Sequence, residues 1–480
     1  MLSEVKQPEP AMQETASTGG ESAEGAFLAR LHQVFDRLRA GGVPFCILRN
    51  RDRIPWSLVT GSDVDVIVPG GTSASRLIAL MQDLSPAQIV PHKATLEMYF
   101  PVGSLYLHVD FLIANRQWRG AVYLKNTEIL ADVQDDDGLP VASQLHQAFC
   151  AWFSSLTRKR MFKERYIPLI SAATAKGREE FAKLLRRVFG EQLGERLMKL
   201  AEQNELDHSN SFAGACRKTV WKRAFAKSPM STIGGLLGYY ASELKLYFRP
   251  TGLTVAVLGP DGAGKSTVCS ILAQMNRAQL PFSAIETQHM YQRALPRLSE
   301  LKKGRIRTKP LTSAATHDPH GKKPHSLPAS VFSLFYTAID QWCSRLRWSK
   351  LKMSRNMLML HDRHMLEVVV DPKRFRYAGP SWLAKAFMQL IPTPDLIVLL
   401  DTPAEILQSR KQEVPFEETR RQRDAFKALV SSMPCGRVVN ATGPAEEVAA
   451  DVREVILSHM ADRTRRRAGK VVRPGKECGR

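Results

Sequence analysis

The sequence predicts an α/β protein: a C-terminal parallel sheet covered by helices on both faces, preceded by a small mixed α/β domain and a helical middle region. Three observations predict it. Apolar runs near 253–258, 284–288, 356–361, 395–400 and 437–441 alternate with helical segments, which is the pattern of a parallel sheet. Further upstream, 44–50, 62–69, 96–101 and 104–113 are strand-like runs bounded by turn residues. Between these groups, 145–166, 177–209 and 232–249 place apolar residues at helical spacing.

With 480 residues, 44% of them hydrophobic and 24% charged, the chain has room for two or three cores. The expected divisions are a disordered leader at 1–25, a mixed α/β domain at 26–135, a helical region at 136–250, a parallel-sheet domain at 251–460 and a basic disordered tail at 461–480. The leader is acidic, polar and rich in Gly, Ser and Pro, without the basic start and apolar stretch of a secretion signal. Phe27, Leu28, Leu31, Val34, Phe35 and Leu38 then share one side of a first helix that ends at Gly41-Gly42. In the last helix before the parallel sheet, Leu236, Leu237, Tyr240, Leu244 and Tyr247 are expected to pack.

No apolar run reaches membrane-spanning length, and seven scattered cysteines form no CxxC pair, so a cytoplasmic location is expected. The net charge of +21 is densest in the tract 463–467 and suits anionic substrates. The tail is a candidate for peripheral contact with an anionic membrane or an assembly partner; no nucleic-acid signature accompanies it. The segment 301–328 is basic and punctuated by Pro, Gly and His, and reads as an excursion beside the site. His289, His317, His320 and His325 lack paired metal-ligand spacing.

The chemistry concentrates in LTVAVLGPDGAGKST (253–267), an apolar strand running into a phosphate-binding loop. Gly259, Gly262 and Gly264 permit the backbone to turn its N–H groups inward, and Ala263 and Thr267 complete the cradle with the helix N-terminus. Lys265 would reach the terminal phosphates of ATP, and Ser266 would ligate Mg²⁺. Asp362, ending a neighbouring strand, would deliver a carboxylate to the metal or the acceptor, and Arg363 would grip the acceptor. Asp261, inside the loop, would hydrogen-bond an acceptor hydroxyl. Arg410, Lys411, Arg420, Arg421 and Arg423 lie on a polar segment whose planar guanidinium forks suit phosphate oxygens.

A second constellation lies upstream. In GSDVDV (61–66), Asp63 and Asp65 share one strand face, and Asp110 of LHVDF (107–111) would supply a third carboxylate from another strand. Such a group can hold divalent metal for nucleotidyl transfer.

Residues 251–460 resemble the thymidylate-kinase-like branch of the nucleoside monophosphate kinase superfamily. GPDGAGKST, HDRH (361–364) and LLDTPAE (399–405) are similar to its ordered motifs. The resemblance implies a P-loop phosphotransferase using ATP and Mg²⁺, with a lid whose arginines, including Arg410 and Arg420, close over the phosphates. The chain departs from that pattern at 286–293, where ETQHMYQR replaces an Arg-Glu-Pro-Gly-Gly type segment, so thymidylate is not implied as acceptor. The runs 361–380 and 410–423 are similar to proteins encoded with bacterial exopolysaccharide and lipopolysaccharide assembly, which implies a surface-glycan context. Residues 26–130 resemble the nucleotidyltransferase-like fold, with LRN (48–50) where active members carry a glycine-bearing pair; two readings stay open there, Arg49 as a substitute phosphate contact or loss of the activity.

The leading expectation is transfer of the γ-phosphate of ATP to a small or glycan-linked acceptor. Two other readings stay open: nucleotidyl transfer at the N-terminal site under ATP control, and a non-catalytic ATP-gated assembly factor.

Overall fold

A computed structural model describes residues 20–159, 162–296, 325–412 and 414–471. The expected leader up to residue 19, most of the 301–328 excursion and the end of the expected tail lie outside these described residues.

The first helix, Gly20–Ala40, buries Phe27, Leu31, Val34, Phe35 and Leu38 against a seven-stranded mixed sheet. Its strands are β1 (Cys46–Ile47), β2 (Asp63–Ile67), β3 (Gln88–Pro91), β4 (Leu96–Val102), β5 (Leu105–Leu112), β8 (Val133–Asp136) and β9 (Leu139–Ala142), in the order β3-β4-β5-β2-β1-β9-β8. A separate hairpin joins β6 (Arg116–Trp118) to β7 (Ala121–Leu124). The pairing β1–β9 carries the sheet past the boundary expected at 135. Helices between 144 and 227 then build a core around Trp152, Phe149 and Phe181.

The parallel sheet contains β10 (Leu253–Leu258), β11 (Ala284–Gln288), β12 (Met357–His361), β13 (Leu396–Asp401) and β14 (Gly436–Asn440), ordered β11-β12-β10-β13-β14. Every pairing is parallel. The five expected strands are present, displaced by no more than one residue at either end. β10 is buried throughout because it is covered twice: Leu253, Val255 and Val257 face one apolar cluster, Ala256 and Leu258 the other. Each such aliphatic side chain contributes about 1.5–3 kcal/mol on burial. Flanked by β12 and β13, β10 sends its loop into the crevice at the carboxyl ends of the strands, where α/β sheets bind ligands.

Two expectations need correction. The final helix runs Ala445–Val471, so the stretch from 461 is helical as far as residue 471. Its cationic turns have partners: Arg463 donates to the carbonyls of Thr251 and Gly252, and Arg467 to that of Pro250 at 3.0 Å. Similarly, the helix Pro229–Phe248 leaves Leu237, Tyr240 and Leu244 exposed, where helical periodicity had placed them in a core. Periodicity identifies a face but not what covers it.

The two sheets are joined by buried polar contacts. The Gln88 amide donates to Asn356 Oδ1 and, at 3.3 Å, to the Thr251 carbonyl; Tyr106 N–H donates to the Ala278 carbonyl at 2.7 Å. Asn356 has a φ of 60°, a left-handed conformation that asparagine tolerates better than alanine. Asn356→Ala removes one of the two acceptors of the buried Gln88 amide and strains this turn, and is expected to destabilise the protein by about 1–3 kcal/mol in urea unfolding.

Candidate functional site

The loop after β10 is shaped by its glycines. Gly262 and Gly264 have φ of 85° and 84°, and a Cβ on Gly262 would lie 3.2 Å from the Leu407 carbonyl and 3.4 Å from Lys411 Cβ. The loop is therefore closed against the end of the helix Ala404–Arg410, and the helix Lys265–Gln274 starts directly from Gly264. That helix start leaves backbone N–H groups free for an anion.

Lys265 is buried, and its ammonium donates to the carbonyls of Gly259 at 2.7 Å and Pro260 at 2.9 Å. Asp261 lies 3.7 Å away. Burial lowers the ammonium's pKa, and Asp261 opposes that shift. Asp261 also accepts from two guanidiniums, Arg363 and Arg374, each at 2.6 Å. Behind them sits buried Glu367, whose carboxyl is raised by burial against the pull of Lys265 and Arg363, and which lies 3.7 Å from Arg363. In this state Asp261 anchors two cations beside the loop.

Ser266 Oγ donates to Asp362 Oδ2 at 2.5 Å, while Asp362 Oδ1 is buried with no hydrogen-bond partner among the described residues. A hydroxyl and a carboxylate with an unused oxygen, at the mouth of a phosphate cradle, fit a magnesium ion with the metal carried by the nucleotide. The neighbouring rings are held neutral: burial lowers His361 to about 4 and His364 to about 3.

The expected arginines divide. Arg410 adjoins the loop, its guanidinium 3.5 and 3.4 Å from the carbonyls of Ala441 and Thr442. Arg423 forks onto Asp401 at 2.6 and 3.1 Å, and Arg421 pairs with Glu418 at 2.6 Å. Arg420 is exposed on the helix Phe416–Ser431 and is not brought to the loop. Arg374 belongs to the site and escaped the sequence reading. Its only signal was a cation-rich stretch, KRFR (373–376), just past the run containing Arg363.

In the N-terminal sheet, Asp63, Asp65 and Asp110 come together, with ligand oxygens all within 4.8 Å of one another. The register explains it: Asp65 pairs with Asp110 and Asp63 with His108 across β2 and β5, while Glu97 and Tyr99 of β4 pair with Asp110 and His108. Arg49 donates to Asp65 at 2.7 Å. For Glu97, burial pushes the carboxyl up, but hydrogen bonds from His108 and His92 outweigh it and hold the group below its ordinary range. Asp110 is raised to about 7, first by burial and then by the charges of Asp65 and Glu97, and its Oδ1 is buried without a partner. Crowded carboxylates with an unsatisfied oxygen fit a divalent cation. Period-two spacing marked Asp63 and Asp65, and the strand-like run 107–111 offered Asp110; Glu97, His108 and Tyr99 required the register.

No family model matches the chain, and no curated protein matches it. Among solved structures, a thymidylate kinase from Candida albicans is similar at 15% identity, over 44% of this chain and 93% of that one, with a TM-score of 0.32. A likeness of that degree says nothing about what this chain binds.

The Asp110 carboxyl ionises near 3.8 when unfolded and near 7 when folded, so the fold loses stability from this group as pH rises between those values. Asp110→Asn is therefore expected to raise the thermal midpoint at pH 8 and leave it nearly unchanged below pH 4. Added Mg²⁺ or Mn²⁺ should stabilise the wild type at pH 8 more than the variant, as scanning calorimetry with and without chelator would register.

Proposed function

We propose that the C-terminal half is an ATP-dependent phosphotransferase. The observation that carries this reading is the joint placement of Lys265 in the loop, Ser266 against Asp362, and Arg363 with Arg374 on Asp261. Phosphoryl transfer asks chiefly for positioning and charge neutralisation, and these groups supply both.

With ATP in place, the loop amides and helix start hold the β- and γ-phosphates. Lys265 would exchange loop carbonyls for phosphate oxygens, and Ser266 and Asp362 would hold a magnesium ion that neutralises phosphate charge. An acceptor oxygen attacks the γ-phosphorus, the bond to the β–γ bridging oxygen breaks, and ADP leaves with the electron pair. The acceptor's proton passes to solvent or to the transferred phosphate. Arg363 and Arg374, already drawn to the loop by Asp261, favour an acceptor that presents an anionic group. Arg410 and Lys411, whose Cβ atoms lie beside Gly262, are cations placed next to the loop. The acceptor is a small molecule or a glycan-linked group. A surface-polysaccharide setting is supported solely by the resemblance of 361–380 and 410–423.

A second reading rests on the unpartnered oxygen of Asp110. The cluster Asp63, Asp65 and Asp110 would hold a divalent cation for nucleotidyl transfer, with Arg49 beside it.

The test is incubation with γ-labelled ATP and a panel of nucleotides, sugars and lipid-linked oligosaccharides. Lys265→Ala is expected to lower label transfer by about 10²- to 10³-fold or more while the thermal midpoint is retained. Label reaching the acceptor from α-labelled but not γ-labelled ATP, retained in Lys265→Ala and lost in Asp63→Asn and Asp65→Asn, would move the chemistry to the N-terminal sheet as nucleotidyl transfer with pyrophosphate as the leaving group.

A further inference from the structure

The helix Pro229–Phe248 exposes Met230, Ile233, Leu237, Tyr240, Leu244 and Phe248. Their spacing of three and four residues puts them on one stripe. Ile233, at 40%, is the least exposed of them, and Met230, at 83%, the most. The helix is seated by its other side: Thr232 and Leu246 are buried, and Lys93 donates to the Gly235 carbonyl at 2.7 Å. Gly235 itself touches the turn at Gly120, where an added Cβ would lie 2.8 Å from Gly120 Cα.

A second helix does the same. Along Leu327–Ser344 and the turn that continues it, Phe332, Phe335, Ile339, Trp342 and Leu346 are exposed, again three and four residues apart. The two stripes meet at their C-terminal ends. There the Tyr247 hydroxyl donates to the Leu346 carbonyl at 2.6 Å, and the Lys350 ammonium lies 5.8 Å from the ring centres of both Tyr247 and Phe248.

An exposed apolar surface of this extent marks a binding face, and charge selects the occupant. Lys245 is exposed on the first helix, Arg347 and Arg355 are exposed in and just past the turn that continues the second, and Lys350 lies by the Tyr247 and Phe248 rings. Of the two carboxylates in 229–248 and 327–355, Asp340 is fully buried and paired with Arg293 at 2.9 Å, which leaves Glu243 as the exposed one. Aromatic and aliphatic side chains with a cationic rim suit an anionic bilayer surface, where rings sit at headgroup level and Lys or Arg meets phosphate. A second copy of the chain would bring like-charged rims face to face.

We propose that these two stripes form a peripheral docking surface for anionic phospholipid bilayers. No helix among the described residues is long and apolar enough to cross a membrane, so contact is by lying on the surface. The surface is separate from the phosphate loop, and the proposal does not depend on the phosphotransferase reading.

The test is co-flotation of the full chain with vesicles of phosphatidylcholine alone or mixed with phosphatidylglycerol, over a range of salt, beside light scattering of the free protein. Flotation is expected only with the anionic vesicles and should fall as salt rises. Arg347→Gln with Lys350→Gln should weaken it roughly fivefold per cation removed. Leu237→Gln with Leu244→Gln should weaken it by more than about tenfold with an unchanged thermal midpoint. Three results would overturn the proposal: no flotation with either vesicle, flotation indifferent to both variant pairs, or a wild-type dimer that the leucine substitutions split, which would assign the face to a second copy. Binding to a single-stranded oligonucleotide in place of vesicles would equally reject it.

Discussion

A buried ammonium group that donates to two loop carbonyls beside a carboxylate governs the rest of the site. Lys265 cannot be hydrated there, so it takes the Gly259 and Pro260 carbonyls as acceptors and Asp261 as a distant counter-ion. Burial disfavours its charged form, and a polyphosphate would supply the anion that burial withholds. Asp261 is then committed twice, because it also draws Arg363 and Arg374 inward. The positions of these two guanidiniums thus follow from the carboxylate in the loop.

The surrounding architecture keeps that arrangement rigid. β10 is covered on both faces and flanked by two parallel strands, so the loop leaves from a fixed point. The strand next to it delivers Asp362, whose N–H donates to the Gln288 carbonyl of the strand beyond at 2.9 Å. The N-terminal sheet bears on this half through Gln88, Asn356 and the last helix, where Arg453 donates to the Gln279 and Ser104 carbonyls. The two candidate sites are consequently built into one packed body, each on its own sheet.

Local signals made much of this legible in the sequence. Strand runs, the glycine spacing of the loop and the period-two aspartates are short-range patterns, and the residues they marked in 253–267 and at Asp63, Asp65 and Asp110 are adjacent in space. Register and tertiary coverage were not legible. Glu97 and His108 join the acidic cluster only because β4 pairs with β5 in one register. Arg374 reaches Asp261 across more than a hundred residues of chain. Arg420 carried the same local signal as Arg423, yet Arg423 forks onto Asp401 while Arg420 stays exposed. The stripe at Leu237 and Leu244 matched a core helix in its spacing, yet both leucines are exposed. Likewise, the tract at 463–467 has the composition of a tail, but backbone carbonyls at 250–252 hold Arg463 and Arg467 within a helix.

The claim on which the account stands is that the bend at 259–266 grasps a nucleotide's polyphosphate. Isothermal titration calorimetry of the folded chain with ATP in magnesium buffer measures it directly. The account predicts saturable uptake of one nucleotide per chain, weakened when magnesium is chelated. Absence of heat with any purine triphosphate, from protein whose thermal unfolding is cooperative, would contradict it.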